Sequence, residues 1–260
     1  MTSKGASIFN YVSAPAPRYM LRLAVLGELF DQFPLPDKAS FLEIGPGRGD
    51  VSHFLIEQTN VAKGAAIDFS EQAIAILQQR FQAYSNFSLC QHHIAEHTLE
   101  ALDLICAFEV LEHVEQDLEF LQHCVTMLKP DGLFFMSVPA YQRKWQKQDE
   151  WAGHLRRYER QELHQKLNKA GFKLERMIDY GYPLMNLLLP IKERYYREDS
   201  RNNSPQSQEE KTKKSGVDRH LFANRPVWPM LIFCYPFILM QKLFYNSEQG
   251  DGLIAIARKL

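Results

Sequence analysis

The sequence predicts an α/β fold in which helices cover both faces of a largely parallel sheet. Two observations predict it. Between residues 19 and 180, short apolar runs alternate with longer segments of 3.6-residue period, the signature of βαβ units. A glycine-rich bend, Glu43-Ile-Gly-Pro-Gly-Arg-Gly49, also falls between the first apolar run and the helix after it. In such sheets a ligand crevice lies beyond the carboxyl ends of the strands. The 260 residues suit one domain of this kind, or one with a large insertion, and are enough to bury a core.

Each element has a local reason. Pro15-Ala-Pro17 precedes a helical pattern over Tyr19–Phe33, with Leu21, Val25, Leu26 and Leu29 on one face, and Pro34 and Pro36 end it. Phe41–Ile44 reads as the first strand and Val51–Thr59 as its helix. Ala65–Asp68 is the second strand, followed by a helix over Glu71–Tyr84. Phe87–Gln91 is the third strand and Leu102–Phe108 the fourth. The helix Glu115–Leu128 is closed by Lys129-Pro-Asp-Gly132, ahead of a fifth strand over Leu133–Pro139. Arg160–Ala170 is a helix ended by Gly171, a residue type suited to the left-handed position past a helix end. Leu174–Tyr180 is the sixth strand, and the chain ends in a strand-like run, Gly252–Lys259.

Composition excludes some functions. The 30 basic and 31 acidic residues nearly cancel, whereas non-specific nucleic-acid binding needs a basic footprint. Cys90, Cys106, Cys124 and Cys234 form no CxxC pair, each sits in an apolar stretch, and no Cys/His cluster of zinc spacing is visible. Metal dependence is therefore not expected. The N-terminus lacks the apolar core of a signal peptide, and the expected location is the cytoplasm.

The bend admits two ligands, a dinucleotide or S-adenosylmethionine. A dinucleotide fingerprint wants a small residue where Asp50 stands, and Glu43 adds a second negative charge. Both oppose a diphosphate and favour a ligand carrying an ammonium and a sulfonium. Asp68, ending the second strand, can accept both ribose hydroxyls; its other reading is an N-cap for the next helix, a task Ser70 can also perform.

Here the residues resemble a known family. Phe41-Leu-Glu-Ile-Gly-Pro-Gly-Arg-Gly49 looks like motif I of class I S-adenosylmethionine-dependent methyltransferases. Asp68 matches their motif II acid. Asp103-Leu-Ile-Cys-Ala-Phe-Glu-Val-Leu-Glu-His113 is similar to their fourth-strand motif, and Leu128-Lys-Pro-Asp-Gly-Leu-Phe134 to the one before strand five. The resemblance implies a seven-stranded sheet of order 3-2-1-4-5-7-6 with the last strand antiparallel. It also implies S-adenosylmethionine as cofactor, held by Glu43, Gly45, Gly47, Asp68, Phe69, Phe108 and Glu109. Relatives often carry an acid after strand three to touch adenine. Here His93 and Ile94 stand in that place and are expected to make the contact. By the same likeness Tyr11 and Arg18, in an N-terminal cap of residues 1–38, are expected at the methionine carboxylate. The methyltransferase domain then comprises residues 39–181 and 251–260, with 182–250 inserted as a lid or acceptor-binding segment.

Methyl transfer to a hydroxyl benefits from a general base. His113, past strand four, and His154, in the loop after strand five, are the candidates; a structural hydrogen bond is the other reading of His113. The stretch Gly153-His-Leu-Arg-Arg-Tyr158 resembles one found in small-molecule and cell-envelope methyltransferases. The loop 141–160 carries six Lys/Arg against three Asp/Glu, which suits an acidic acceptor met by Arg156, Arg157, Tyr158 and Tyr141. Pairing of the arginines with surface acids is the alternative. The expected reaction is O-methylation of a small or lipid-linked metabolite, with N-methylation and a non-catalytic binding module as rivals.

The segment 182–250 breaks the rhythm. An apolar stretch, Tyr182–Ile191, and a second, Val227–Tyr245, flank a polar one, Lys192–His220, expected to be a mobile surface loop. The second apolar stretch reads as too short and too proline-rich for an ordinary transmembrane helix. A helical lid, a wall for a lipophilic acceptor and peripheral docking of residues 226–245 on the inner membrane surface stay open.

Overall fold

The structure, a computed structural model, describes residues 7–91, 101–202, 207–217 and 225–260. Its seven strands are β1 (Ala39–Ile44), β2 (Val61–Ile67), β3 (Phe87–Cys90), β4 (Leu102–Phe108), β5 (Leu128–Pro139), β6 (Phe172–Tyr180) and β7 (Gly252–Lys259). They form one sheet of order β3-β2-β1-β4-β5-β7-β6. The pairs among β1 to β5 are parallel, and β7 runs antiparallel to both β5 and β6. This is the predicted topology. The fifth strand starts earlier than predicted, because Leu128 already pairs with Leu102 before a register shift at Leu102/Leu104. The sixth starts at Phe172, opposite Lys259.

Strand alternation builds two apolar layers. On one face Phe41, Cys106, Phe135 and Ile256 meet helices α1 (Pro17–Gln32) and α2 (Asp50–Gln58). On the other, Leu42, Ile105, Phe134 and Ala255 meet two more helices, α4 (Asp117–Met127) and α6 (Arg160–Ala170). Between these groups in the chain lies α3 (Glu71–Phe81), and a short helix, α5 (Lys147–Ala152), lies in the loop after β5. Helix α1 starts at Pro17, whose fixed φ suits the first helical position, after an extended Ala16. Helix α6 stops at Gly171, φ 104°.

Within the stretch expected to be a surface loop, Lys192–His220, residues 192–202 and 208–217 are helical, belonging to α7 (Leu184–Asn202) and α8 (Gln208–Val217). Charge pairs one turn apart, Arg194 with Glu198 and Glu209 with Lys213, supply the local support. The last helix, α9 (Val227–Gln241), runs unbroken through Pro236. Its buried face, Cys234, Ile238 and Gln241, docks on the domain. The Gln241 amide donates to the Leu21 carbonyl at 3.1 Å, and its oxygen accepts from the Gly181 N–H at 3.1 Å. Its outer face is bare: Trp228 and Ile232 are each 66% exposed, and Leu243, just beyond, 81%. Contrary to the sequence reading, Val227–Phe244 is long and apolar enough to cross a bilayer by length and composition alone.

Candidate active site

The bend after β1 is shaped by three left-handed glycines, Gly45, Gly47 and Gly49, of which the first two line the cavities. Gly45 has φ +62°, and a Cβ there would lie 2.8 Å from Val110 Cγ2. Gly47 has φ +57°, and its Cβ would lie 2.7 Å from the carbonyl oxygen of Gly216 in α8. The insertion thus reaches across the sheet and lies on the bend. Two cavities, about 430 and 440 Å³, open on either side. They share Gly45, Gly47, Glu109, His113, Ser215 and Gly216 as common walls.

The first cavity holds Asp68, Phe69 and Ser70. Burial raises the Asp68 carboxyl above the usual carboxylate range, partly offset by the N–H groups of Ser70, Gly47 and Phe69. The Ser70 N–H donates to Asp68 Oδ1 at 2.9 Å, while Ser70 itself caps α3 by accepting from the Ala73 N–H. The N-cap task therefore belongs to Ser70, and Asp68 stands at the cavity wall. Acids outnumber bases there: Asp68, Glu109, Glu115 and Glu209 face Lys213.

The second cavity holds Glu43, Phe108, His154 and three arginines, Arg18, Arg22 and Arg48. Glu43 accepts from the Ser52 N–H at 2.9 Å and from the Ser52 hydroxyl. Burial pushes its carboxyl up to about 7 despite those bonds. Glu109 directly follows β4, with φ +60°. Burial would raise its carboxyl, but Arg18 and Arg22 hold it down, at about 2. Arg18 also reaches Asp251 at the start of the last strand, with Nε to Oδ2 at 2.7 Å. Asp251 lies near Arg157 and Lys192 as well, and these cations outweigh its burial and hold it far below the usual range.

Several expected contacts are relocated. Asp50, the second acid of the charge argument, is 3% exposed and lines neither cavity; it accepts from Arg80, the Tyr19 hydroxyl and the Ser13 N–H. Its charge is engaged by those partners, so Glu43 alone of the two faces a ligand. Tyr11 also lines neither cavity: its hydroxyl accepts from Gln58 and its carbonyl from Arg80. The expected acceptor contacts fare likewise. Arg157 is 5% exposed and bound to Asp149 and the Ala140 carbonyl. Arg156 pairs with Asp117 at 2.9 Å, which also accepts from Tyr158 at 2.9 Å. Tyr141 donates to Asp179. All four are engaged by partners within the chain, Arg156 at the surface and the other three buried, and line neither cavity. The cavity's cations come from the start of α1 and from the bend instead. His93 and Ile94 lie outside the described residues.

The two histidines meet, their rings 4.9 Å apart. Burial, reinforced by neighbouring His154, lowers His113 to about 3, so it is neutral at ordinary pH and a weak base there. His154 Nδ1 sits 2.8 Å from Asp149 Oδ1. The fold also assembles a group that no local pattern announces, a cluster of Glu112, His113 and His154 whose candidate ligand atoms lie within 4.8 Å of one another. Sequence reading misses Arg22, one helical turn after Arg18 on α1, and the whole of α8.

The site fits S-adenosylmethionine on three counts: the glycine cradle that a Cβ would fill, a buried acid at the end of β2, and an acid-rich first cavity unsuited to phosphate. Comparisons agree. The profile of a family described as a methyltransferase domain matches residues 18–176, more than half of the chain. A ubiquinone biosynthesis O-methyltransferase of Glaesserella parasuis is 30% identical over 106 residues, covering 37% of this chain and 44% of its own length. The chain thus spans less than half the length of that curated relative. Among solved structures, an S-adenosylmethionine-dependent methyltransferase of Mesorhizobium loti superposes with a TM-score of 0.58 at 14% identity, covering 89% of this chain and 96% of its own. A phosphoethanolamine N-methyltransferase of Haemonchus contortus, in complex with S-adenosylmethionine, gives 0.60 at 14%, covering 98% and 57%. At such identity these two likenesses speak for the fold.

Proposed function

The chain belongs to the class I S-adenosylmethionine-dependent methyltransferase family, and from that premise we propose that it methylates a small, lipophilic acceptor at oxygen. The observation that carries this reading is the pair of cavities joined at the glycine bend, one with the ribose-type acid Asp68, the other with Glu43, Arg18 and Arg22. S-adenosylmethionine, when bound, supplies an electrophilic methyl group on a sulfonium sulfur. Asp68 accepts the ribose hydroxyls. Glu43 suits the amino group, and Arg18 with Arg22 suits the carboxylate. Helix α8 lies against the bend through Gly216 and lines both cavities. The protein's contribution is mainly alignment of donor and acceptor.

Transfer at oxygen draws support from the curated relative named above, whose printed activity is O-methylation. The bare apolar face of α9 supports a lipophilic acceptor and a location on the inner membrane surface, where that face rests in the lipid interface. The test is direct. Calorimetry should find S-adenosylmethionine binding and none for NAD, with Asp68→Ala weakening it about tenfold or more. Incubation with phenolic and quinol acceptors should yield S-adenosylhomocysteine. Binding of NAD in its place would overturn the reading.

A further inference from the structure

We propose that Glu112, His113 and His154 form a binding site for a first-row transition dication such as Zn²⁺, Mn²⁺ or Co²⁺, set in the wall where the two cavities join.

Three observations carry it. First, Glu112 is completely buried, and neither of its carboxylate oxygens has a hydrogen-bond partner among the described residues. An ionised carboxylate buried without a partner is strongly unfavourable, so such a group either holds a proton or meets a cation. Second, that carboxylate is aimed at an imidazole. Glu112 Oε1 lies 3.8 Å from His154 Nε2. The distance is too long for a hydrogen bond. It is close to the separation of about 3–3.5 Å between two atoms that each bind one ion at about 2.1 Å. Third, the outer surroundings are those of a ligating histidine. Asp149 Oδ1 stands 2.8 Å from His154 Nδ1. A proton on that nitrogen leaves the Nε2 lone pair directed at Glu112, the arrangement by which a carboxylate orients a metal-bound imidazole. The Leu155 N–H donates to the Glu112 carbonyl at 2.9 Å and pins the two segments together.

His113 completes the set, and it faces both cavities, which gives an ion a way in. Two imidazoles and one carboxylate suit Zn²⁺ or its first-row neighbours better than Mg²⁺, which prefers all-oxygen shells. Three protein ligands leave a position open toward the cavity. On the methyl-transfer reading above, an acceptor hydroxyl takes that position. Its proton is lost to solvent, and the oxygen lone pair forms the C–O bond as the donor's C–S bond breaks.

The test uses the full chain, stripped with a chelator and titrated separately with Zn²⁺, Mn²⁺ and Co²⁺ in the absence of donor and acceptor. Calorimetry and, for Co²⁺, visible absorption report binding. The expected result is saturable binding of one ion per chain by at least one of the three. Binding should weaken about tenfold or more in Glu112→Gln and in His154→Ala and stay unchanged in His164→Ala, a control on the exposed side of α6. Glu112→Gln keeps the buried shape, so it decides the matter should His154→Ala fail to fold. No binding of any of the three ions, or binding that Glu112→Gln leaves intact, overturns the proposal. Metal binding without methyl transfer would instead count against the functional reading alone.

Discussion

Glu43 should make the stability of this protein fall as pH rises through neutrality, and Glu43→Gln should abolish that fall. The carboxyl is 3% exposed and sits at the end of β1. It faces Ser52, Asp50 and Arg22, with the Cys106 thiol nearby. Burial, assisted by Asp50, lifts it from an ordinary 4.5 to about 7, against the opposing pull of Ser52 and Arg22. The folded state then holds a proton that the unfolded chain has already released. Its stabilisation is fully present below pH 4.5 and is lost as pH rises through about 7. The magnitude of the loss is about 3 kcal/mol. The amide introduced by Glu43→Gln keeps the shape of the neutral acid and cannot ionise. Urea unfolding of both chains at a series of pH values is the assay. Relative to wild type, Glu43→Gln should gain about 3 kcal/mol between mild acid and pH 8. Parallel profiles across that window would refute the reasoning. So would a gain in the opposite direction.

Other substitutions test other parts of the site. Gly47→Ala forces a Cβ to within 2.7 Å of the Gly216 carbonyl at φ +57°. It should cost about 1–2 kcal/mol in thermal unfolding and weaken S-adenosylmethionine binding measured by calorimetry. Asp251→Ala leaves Arg18 and Arg157 facing a gap in a buried network. A loss of about 3–5 kcal/mol in denaturant unfolding is expected. Ile232→Glu with Leu243→Glu alters only exposed side chains, so stability should hold within about 0.5 kcal/mol. Co-sedimentation with anionic liposomes should be lost, and equal sedimentation of variant and wild type would remove the membrane reading.

What can be read from the sequence follows from distance along the chain. The bend, Asp68 and the strands around them are local patterns: glycine where φ must be positive, an acid at a strand end, an apolar run of strand length. Each is visible before any tertiary contact. Arg156 and Arg157 show the limit. Their charge is legible, but their partners Asp117 and Asp149 enter only through folding, and those partners turn two expected acceptor ligands into internal ties. Asp50 is misjudged for the same reason, since Arg80 comes to it from α3. Helix α8 carries an unused signal, the Glu209–Lys213 spacing. Its position over Gly47, however, is a tertiary fact with no trace in the order of residues. Glu112 looks like one more acid beside a histidine until the 149–155 segment packs over it.

Helix α8 touches the bend through Gly216, the loop after β5 through Gly153, and the His113 ring through Thr212. A substitution in α8 therefore acts on the bend and on His113 together, although neither lies near it in the chain.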